Sequence, residues 1–232
     1  MADRPIIFSA PMVRAILAGT KTQTRRAIKA QPNATHDGEP YWFIGGYRVW
    51  GYRPATAVPL RAGGNPMPCP YGQPGDRLWV RETFVQGWPH NENGCPDQFD
   101  EDGNERPMST WYRASNPELI WCTDGENDER TPWRPSIHMP RWASRITLEI
   151  TAVRVERLQD ISEADAQAEG IQYSERFNGY CIGMAEHFHS NDPRQSYLSL
   201  WEAINGGGSV EANPWVWVLE FKRAANQEPS HG

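Results

Sequence analysis

Apolar and polar residues alternate along several short stretches of this chain, and that two-residue period is its main structural signal. Residues 4–8 read as a short strand running into a helix. In that helix Met12, Val13, Ile16 and Leu17 fall at helical spacing, Ser9 stands where it can cap the first turn, and Gly19 follows the last apolar position. Residues 21–26 then leave the helix as an extended segment. In a strand, Thr22, Thr24 and Arg26 share one face and Lys21, Gln23 and Arg25 the other. If the first of these residues are still turning, Lys21 and Thr24 converge instead.

Further along, Pro74-Gly75-Asp76 marks a turn. Residues 77–84 alternate as a strand, with Leu78, Val80 and Glu82 on one face and Trp79, Arg81 and Thr83 on the other. The longest alternating run is 145–158. Ser162 and Asp165 give a capping-box signature for a slim helix that ends at Gly170 and leaves Glu169 in its last turn. Asp192-Pro193 opens the clearest helix, which reaches Asn205 with Tyr197, Leu198, Leu200, Trp201 and Ile204 at helical spacing. Residues 215–222 form a buried closing strand. Two insertions interrupt this series. Residues 31–73 are rich in Gly, Pro and aromatics, and segments 41–43 and 47–52 around Gly45-Gly46 suggest a hairpin. Residues 87–140 are acidic and turn-rich, with a strand at 110–113 and an extended, proline-pinned loop at 133–142. After 224 the chain is polar and loose. The order predicts one α+β domain over 1–232, a small mixed β-barrel carrying decorations.

Composition sharpens this picture. The 232 residues include 20 Gly and 20 Pro, which implies long irregular loops, and 11 Trp, many of which must pack or line a groove. The net charge of −6 argues against bulk binding of duplex DNA while leaving room for a local basic pocket. The four cysteines form no C-x-x-C pair, so no zinc ribbon or thioredoxin-type site is indicated. With no secretory signal and no long apolar run, the expectation is a cytoplasmic protein with reduced thiols and no membrane partner. The pattern specifies no oligomeric state.

Three places carry candidate chemistry. The segment L-A-G-T-K-T-Q-T-R-R at 17–26 reads plainly as a basic, solvated helix exit. It also supports a chemical reading, in which a lysine that loses charge by burial serves as base for a threonine hydroxyl. Glu82, on an otherwise apolar strand face, is either a strand end leaving the core or a buried carboxylate. Glu169, at a helix C-terminus, opposes the helix dipole, so it is either simply exposed or answers a positive partner. His138 reads as a packed or capping histidine. His187 and His189 have H-x-H spacing without further ligands nearby, so neither metal nor cofactor is expected.

These motifs together resemble the ASCH-domain proteins, a branch of the PUA-like β-barrel superfamily. The matching pieces are 15–26, the turn and strand P-G-D-R-L-W-V-R-E at 74–82, residues 146–171 and the last strand 214–222, about half of the chain. The long form, with its W-R-P-S-I-H-M-P-R-W loop, looks like versions carried by phages and prophages. At its motifs the chain is similar to the small N4-acetylcytidine amidohydrolases, which carry K-x-x-T-x-R after the first helix and a glutamate at the end of a later one. Lys21, Thr24 and Arg26 fall on that pattern, and Glu169 falls at the later glutamate. Many other ASCH proteins have glutamate where Thr24 stands.

The resemblance implies release of an acyl group from the N4 amine of a cytidine-type nucleoside. Thr24 would be the nucleophile and Lys21 its base. Glu169 would hold or protonate the cytosine edge, or orient Lys21. Arg26 would hold an acyl oxygen, a ribose or a phosphate. Trp79 or Trp142 would stack on the base, near Arg81 and Glu82. A second reading is a non-catalytic module that binds RNA or a modified nucleobase with the same residues. A third is a ribonuclease, for which no suitably placed histidine pair is evident.

Overall fold

The structure is a computed structural model that describes residues 2–32, 34–36, 39–44, 48–51, 68–91, 93, 95–116, 122–123, 133–182 and 190–224. In chain order, β1 (Asp3–Ile7) leads into α1 (Ala10–Leu17) and β2 (Gln23–Ala27). A meander follows, of β3 (Ala34–His36), β4 (Glu39–Ile44) and β5 (Arg48–Gly51). Next come β6 (Arg77–Arg81), β7 (Phe84–Pro89), β8 (Ser109–Tyr112), β9 (Cys122–Thr123) and the long β10 (Thr147–Arg157). Then α2 (Glu163–Ala168), the hairpin β11 (Gln172–Ser174) and β12 (Gly179–Cys181), α3 (Pro193–Asn205) and β13 (Trp215–Arg223) complete the fold.

Five strands build the central sheet in the order β1-β6-β10-β13-β2. β1 and β6 run parallel, and the other pairs are antiparallel. The sequence W-V-W-V-L-E-F explains why β13 lies inside the sheet. Trp215, Trp217, Leu219 and Phe221 enter one core with Val13 and Ile16 of α1. Val216 and Val218 enter a second core with Ala166 of α2 and Tyr197 and Trp201 of α3. A strand covered on both faces has no polar alternation to show. Each large apolar side chain buried this way stabilises by about 1.5–3 kcal/mol, so β13 ties the two cores together.

The fold is mixed α+β, mostly sheet with few helices. β1 and β2 are its edges, and among the described residues no backbone ladder joins them. Strand pairing therefore does not close the expected barrel. The Ile7 carbonyl instead accepts a hydrogen bond from the Arg26 guanidinium (2.6 Å).

Other local expectations differ in detail. Ser9 occupies the cap position of α1 without a side-chain capping bond. Pro11 lies in the first turn and offers no N–H to cap. Residues 133–142 are not extended throughout; Ser136–His138 and Arg141–Ala143 form short 3-10 turns after Pro135 and Pro140. Ser162 caps α2 as its pattern predicts, accepting from Asp165 N–H (3.1 Å). β4 and β5 pair antiparallel with Trp42 opposite Trp50, while Gly45, Gly46, Tyr47 and Tyr52 of that expected hairpin lie outside the described residues. His187, His189 and the tail from 225 also lie outside them. No helix among the described residues is long and apolar enough to cross a membrane.

Candidate active site

Two helix ends assemble the site. α1 closes with Gly19 N–H donating to Ile16 O (3.1 Å) and Thr20 N–H to Ala15 O (2.9 Å), and Gly19 has φ +77°. α2 closes the same way. Gly170 N–H donates to Gln167 O (2.8 Å) and Ile171 N–H to Ala166 O (3.3 Å). Both are Schellman ends, which need a residue in the left-handed region. Gly170, at φ +97°, also needs to be small, because a Cβ there would come within 3.1 Å of Ala15 Cβ and 3.3 Å of Lys21 Cβ. The two exits then meet. Lys21 and Glu169 form an antiparallel bridge, and Thr22 N–H donates to Ala168 O (2.8 Å).

Lys21 is 2% exposed and Glu169 3%. Lys21 Nζ donates to the Glu169 carbonyl (2.8 Å) and to its Oε2 (2.5 Å). This accounts for a carboxylate at the negative end of α2: the ammonium neutralises it together with an unpaired helix carbonyl. Oε1 accepts from Arg25 N–H (2.5 Å), a donor that β2 has available because it is an edge strand. The Tyr197 hydroxyl also hydrogen-bonds Glu169, and burial with that carboxylate beside it pushes the phenol well above the usual tyrosine range. Burial depresses the Lys21 pKa; Glu169 opposes the shift without cancelling it, and Arg26 and Arg25 add to it.

A cavity of about 70 Å³ opens along the edge of β2. Thr24, Arg26 and Glu169 line one side; Tyr197, Trp201 and Ile204 of α3 line the other. Lys21 sits behind Glu169 rather than on the cavity wall. Among the described residues its ammonium hydrogen-bonds Glu169 and not Thr24. Arg26 also lies over the Phe8 ring, 5.3 Å from its centroid.

Comparisons with family models, with curated proteins and with solved structures gave no match.

Arg25, which also lines the cavity, is locked in an ion network. Its guanidinium donates to Glu156 (2.9 Å), Asp165 (3.2 Å) and the Gln23 amide oxygen. Arg154 joins the same acids and Glu220. Burial alone would raise the Asp165 pKa, but hydrogen bonds from Gln23 and Ser162 and the charges of Arg25 and Arg154 hold it well below the usual carboxylate range. A depressed carboxylate stabilises the fold above its unfolded pKa and loses that effect as pH falls through the folded value. Asp165→Asn should therefore lower the urea midpoint near neutral pH, and the difference from wild type should shrink below about pH 3.8. Equal differences at both pH values would contradict this assignment.

Of the other residues expected at the site, none lines the cavity. Trp79 lies on the outer face of β6, with Arg81 (5.4 Å) and Arg141 (5.9 Å) over its ring. Glu82, for which the sequence left a strand end and a buried carboxylate both open, follows the last residue of β6 and is buried, with Arg145 taking both of its oxygens (2.9 and 3.1 Å). Trp142 is 65% exposed. The cause is sheet order: β13 and β10 stand between β6 and β2. The aromatics at the cavity are Tyr197 and Trp201, which sequence reading placed only on an apolar helix face. The available signal was the phenol itself, since a buried tyrosine hydroxyl needs a partner. No cluster of three metal-ligating side chains exists among the described residues.

Proposed function

We propose that this chain is an amidohydrolase of the ASCH type, in a PUA-like fold, that removes the acyl group from the N4 amine of a cytidine-type nucleoside. The observation that carries this reading is the Glu169 carboxylate, held by Lys21, Arg25 N–H and Tyr197 beside Thr24 at one cavity. Thr24 Oγ attacks the acyl carbonyl carbon. Its proton passes to the Lys21–Glu169 pair, which shares one proton fewer once Lys21 is neutral. Arg26 stabilises the developing oxyanion. The C–N bond breaks, the N4 nitrogen takes the proton from the pair, and water hydrolyses the acyl–Thr24 ester. A cavity of about 70 Å³ holds roughly two waters at about 30 Å³ each. The acyl group and the base edge enter it, and the sugar stays outside.

The pH dependence follows from the pair. It accepts the Thr24 proton only after losing one of its own, so kcat/KM should rise with pH and then level. Burial places that rise below the ordinary lysine value of 10.5. A rate that is flat with pH, or rises only above 10.5, would remove Lys21 from the reaction.

A second reading has its own support. Lys21 bonds Glu169 and not Thr24, and a carboxylate fixed by donors also reads the amine edge of a nucleobase without chemistry. Incubation with N4-acetylcytidine and bulkier N4-acylcytidines separates the two. Cytidine release supports the hydrolase; saturable binding without release supports the binding module.

A further inference from the structure

We infer that a second cavity, on the outer side of the Lys21–Glu169 bridge, is a binding site for a short neutral saccharide. Where the exits of α1 and α2 pair, Lys21 and Glu169 are buried. Their neighbours Thr20, Thr22 and Ala168 instead line an open cavity of about 640 Å³. That volume falls in the usual range for small-molecule sites, about 300–1,000 Å³. Gln167 of α2, Gln172 and Tyr173 of β11 and Tyr180 of β12 complete it, and it shares no lining residue with the first cavity.

The lining sets the ligand class. In a chain with 22% charged residues, no residue that lines this cavity carries a charge. A phosphate or carboxylate would find no cation there. The polar groups are hydroxyls and amides, which both donate and accept. Thr22, Gln167 and Gln172 make no side-chain hydrogen bond among the described residues, and Thr20 uses only its proton, on Ala15 O (3.2 Å). A wholly apolar ligand would cover these groups without pairing them. Beside them stands an aromatic plane held in place. Tyr173 is 53% exposed, yet Tyr180 lies opposite it in the hairpin with its ring edge-on at 5.5 Å. The Tyr173 hydroxyl donates to Asn178 Oδ1 (2.7 Å) at the hairpin turn, where Asn178 has φ +47°. A sugar ring has an apolar C–H face to lay on such a plane and a rim of hydroxyls to meet the amides. A braced ring loses little freedom when it is covered.

The test is saturation-transfer NMR of the full chain with maltotriose, cellotriose and chitotriose as probes. Saturable transfer to at least one of them is expected, strongest at its ring C–H protons. Its affinity should not change with salt, because no charge is involved. Tyr173→Ala should weaken binding about tenfold, the scale of a lost aromatic contact. Gln172→Ala should weaken it as well. Both residues are exposed, and unchanged urea midpoints would show that the fold is kept. Arg26→Ala, at the first cavity, should bind the saccharide as wild type, so this site is read separately from hydrolysis. No transfer to any probe, an affinity that falls with salt, full displacement by cytidine, or no change in Tyr173→Ala would each overturn the inference.

Discussion

Thr24→Ala should lower acyl release from an N4-acylcytidine by about 10³-fold or more, the scale on which removal of a nucleophile acts. The fold should survive. Thr24 lies in an edge strand paired to Leu219 through its backbone, so the ladder does not depend on its side chain. Deleting the hydroxyl and one methyl from a residue that lines a cavity leaves both apolar cores untouched. Thr24→Ser should keep a measurable rate, because the attacking oxygen remains. Side-by-side progress curves and urea midpoints for the two variants check this. A Thr24→Ala enzyme as active as Thr24→Ser would mean that water attacks directly.

The second large effect is on stability. Lys21→Met should cost about 3–5 kcal/mol, because it leaves Glu169 charged and buried without its cation. The ammonium also answers the backbone carbonyl of Glu169 at the negative end of α2, so two acceptors lose their donor together. Lys21→Met with Glu169→Leu should recover part of the loss. The Arg25 N–H and the Tyr197 hydroxyl would then lack an acceptor, which keeps about 1–3 kcal/mol of it. Chemical denaturation of the single and double variants measures both numbers. A Lys21→Met protein as stable as wild type would show that the pair does not act as a buried ion pair.

The legible parts of this chain were those governed by local chemistry. Gly19 and Gly170 marked helix ends because each Schellman end needs a left-handed residue, and both are found there. Ser162 with Asp165 announced α2, and the apolar run at 215–219, with Phe221 beyond Glu220, announced a buried closing strand. Along β2, Gln23 and Arg25 share a side as alternation requires, since both side chains bond Asp165. Long-range pairing was not legible. Lys21 and Glu169 lie 148 positions apart, and no periodicity links them; the carboxylate at a helix C-terminus pointed only to some cation, and it was the family resemblance that set Glu169 beside Lys21. Trp79, Arg81 and Glu82 were grouped with the site because they share a motif, whereas strand order carries them to the far side of β10 and β13. Glu82 found Arg145, a residue that the pattern had assigned only to the start of a strand. Tyr197 was hidden by its own helix, where spacing made it one more apolar position.

The central claim is that Thr24, served by the Lys21–Glu169 pair, carries the acyl group. Acid-quenched mixtures of the protein with N4-acetylcytidine test it most directly, with cytidine read by chromatography and the protein by intact mass and peptide mapping. The account predicts released cytidine and a protein one acetyl group heavier, with the mark on the peptide that contains Thr24, and neither in Thr24→Ala. Cytidine release undiminished in Thr24→Ala, or an acetyl mark on another residue, would contradict it.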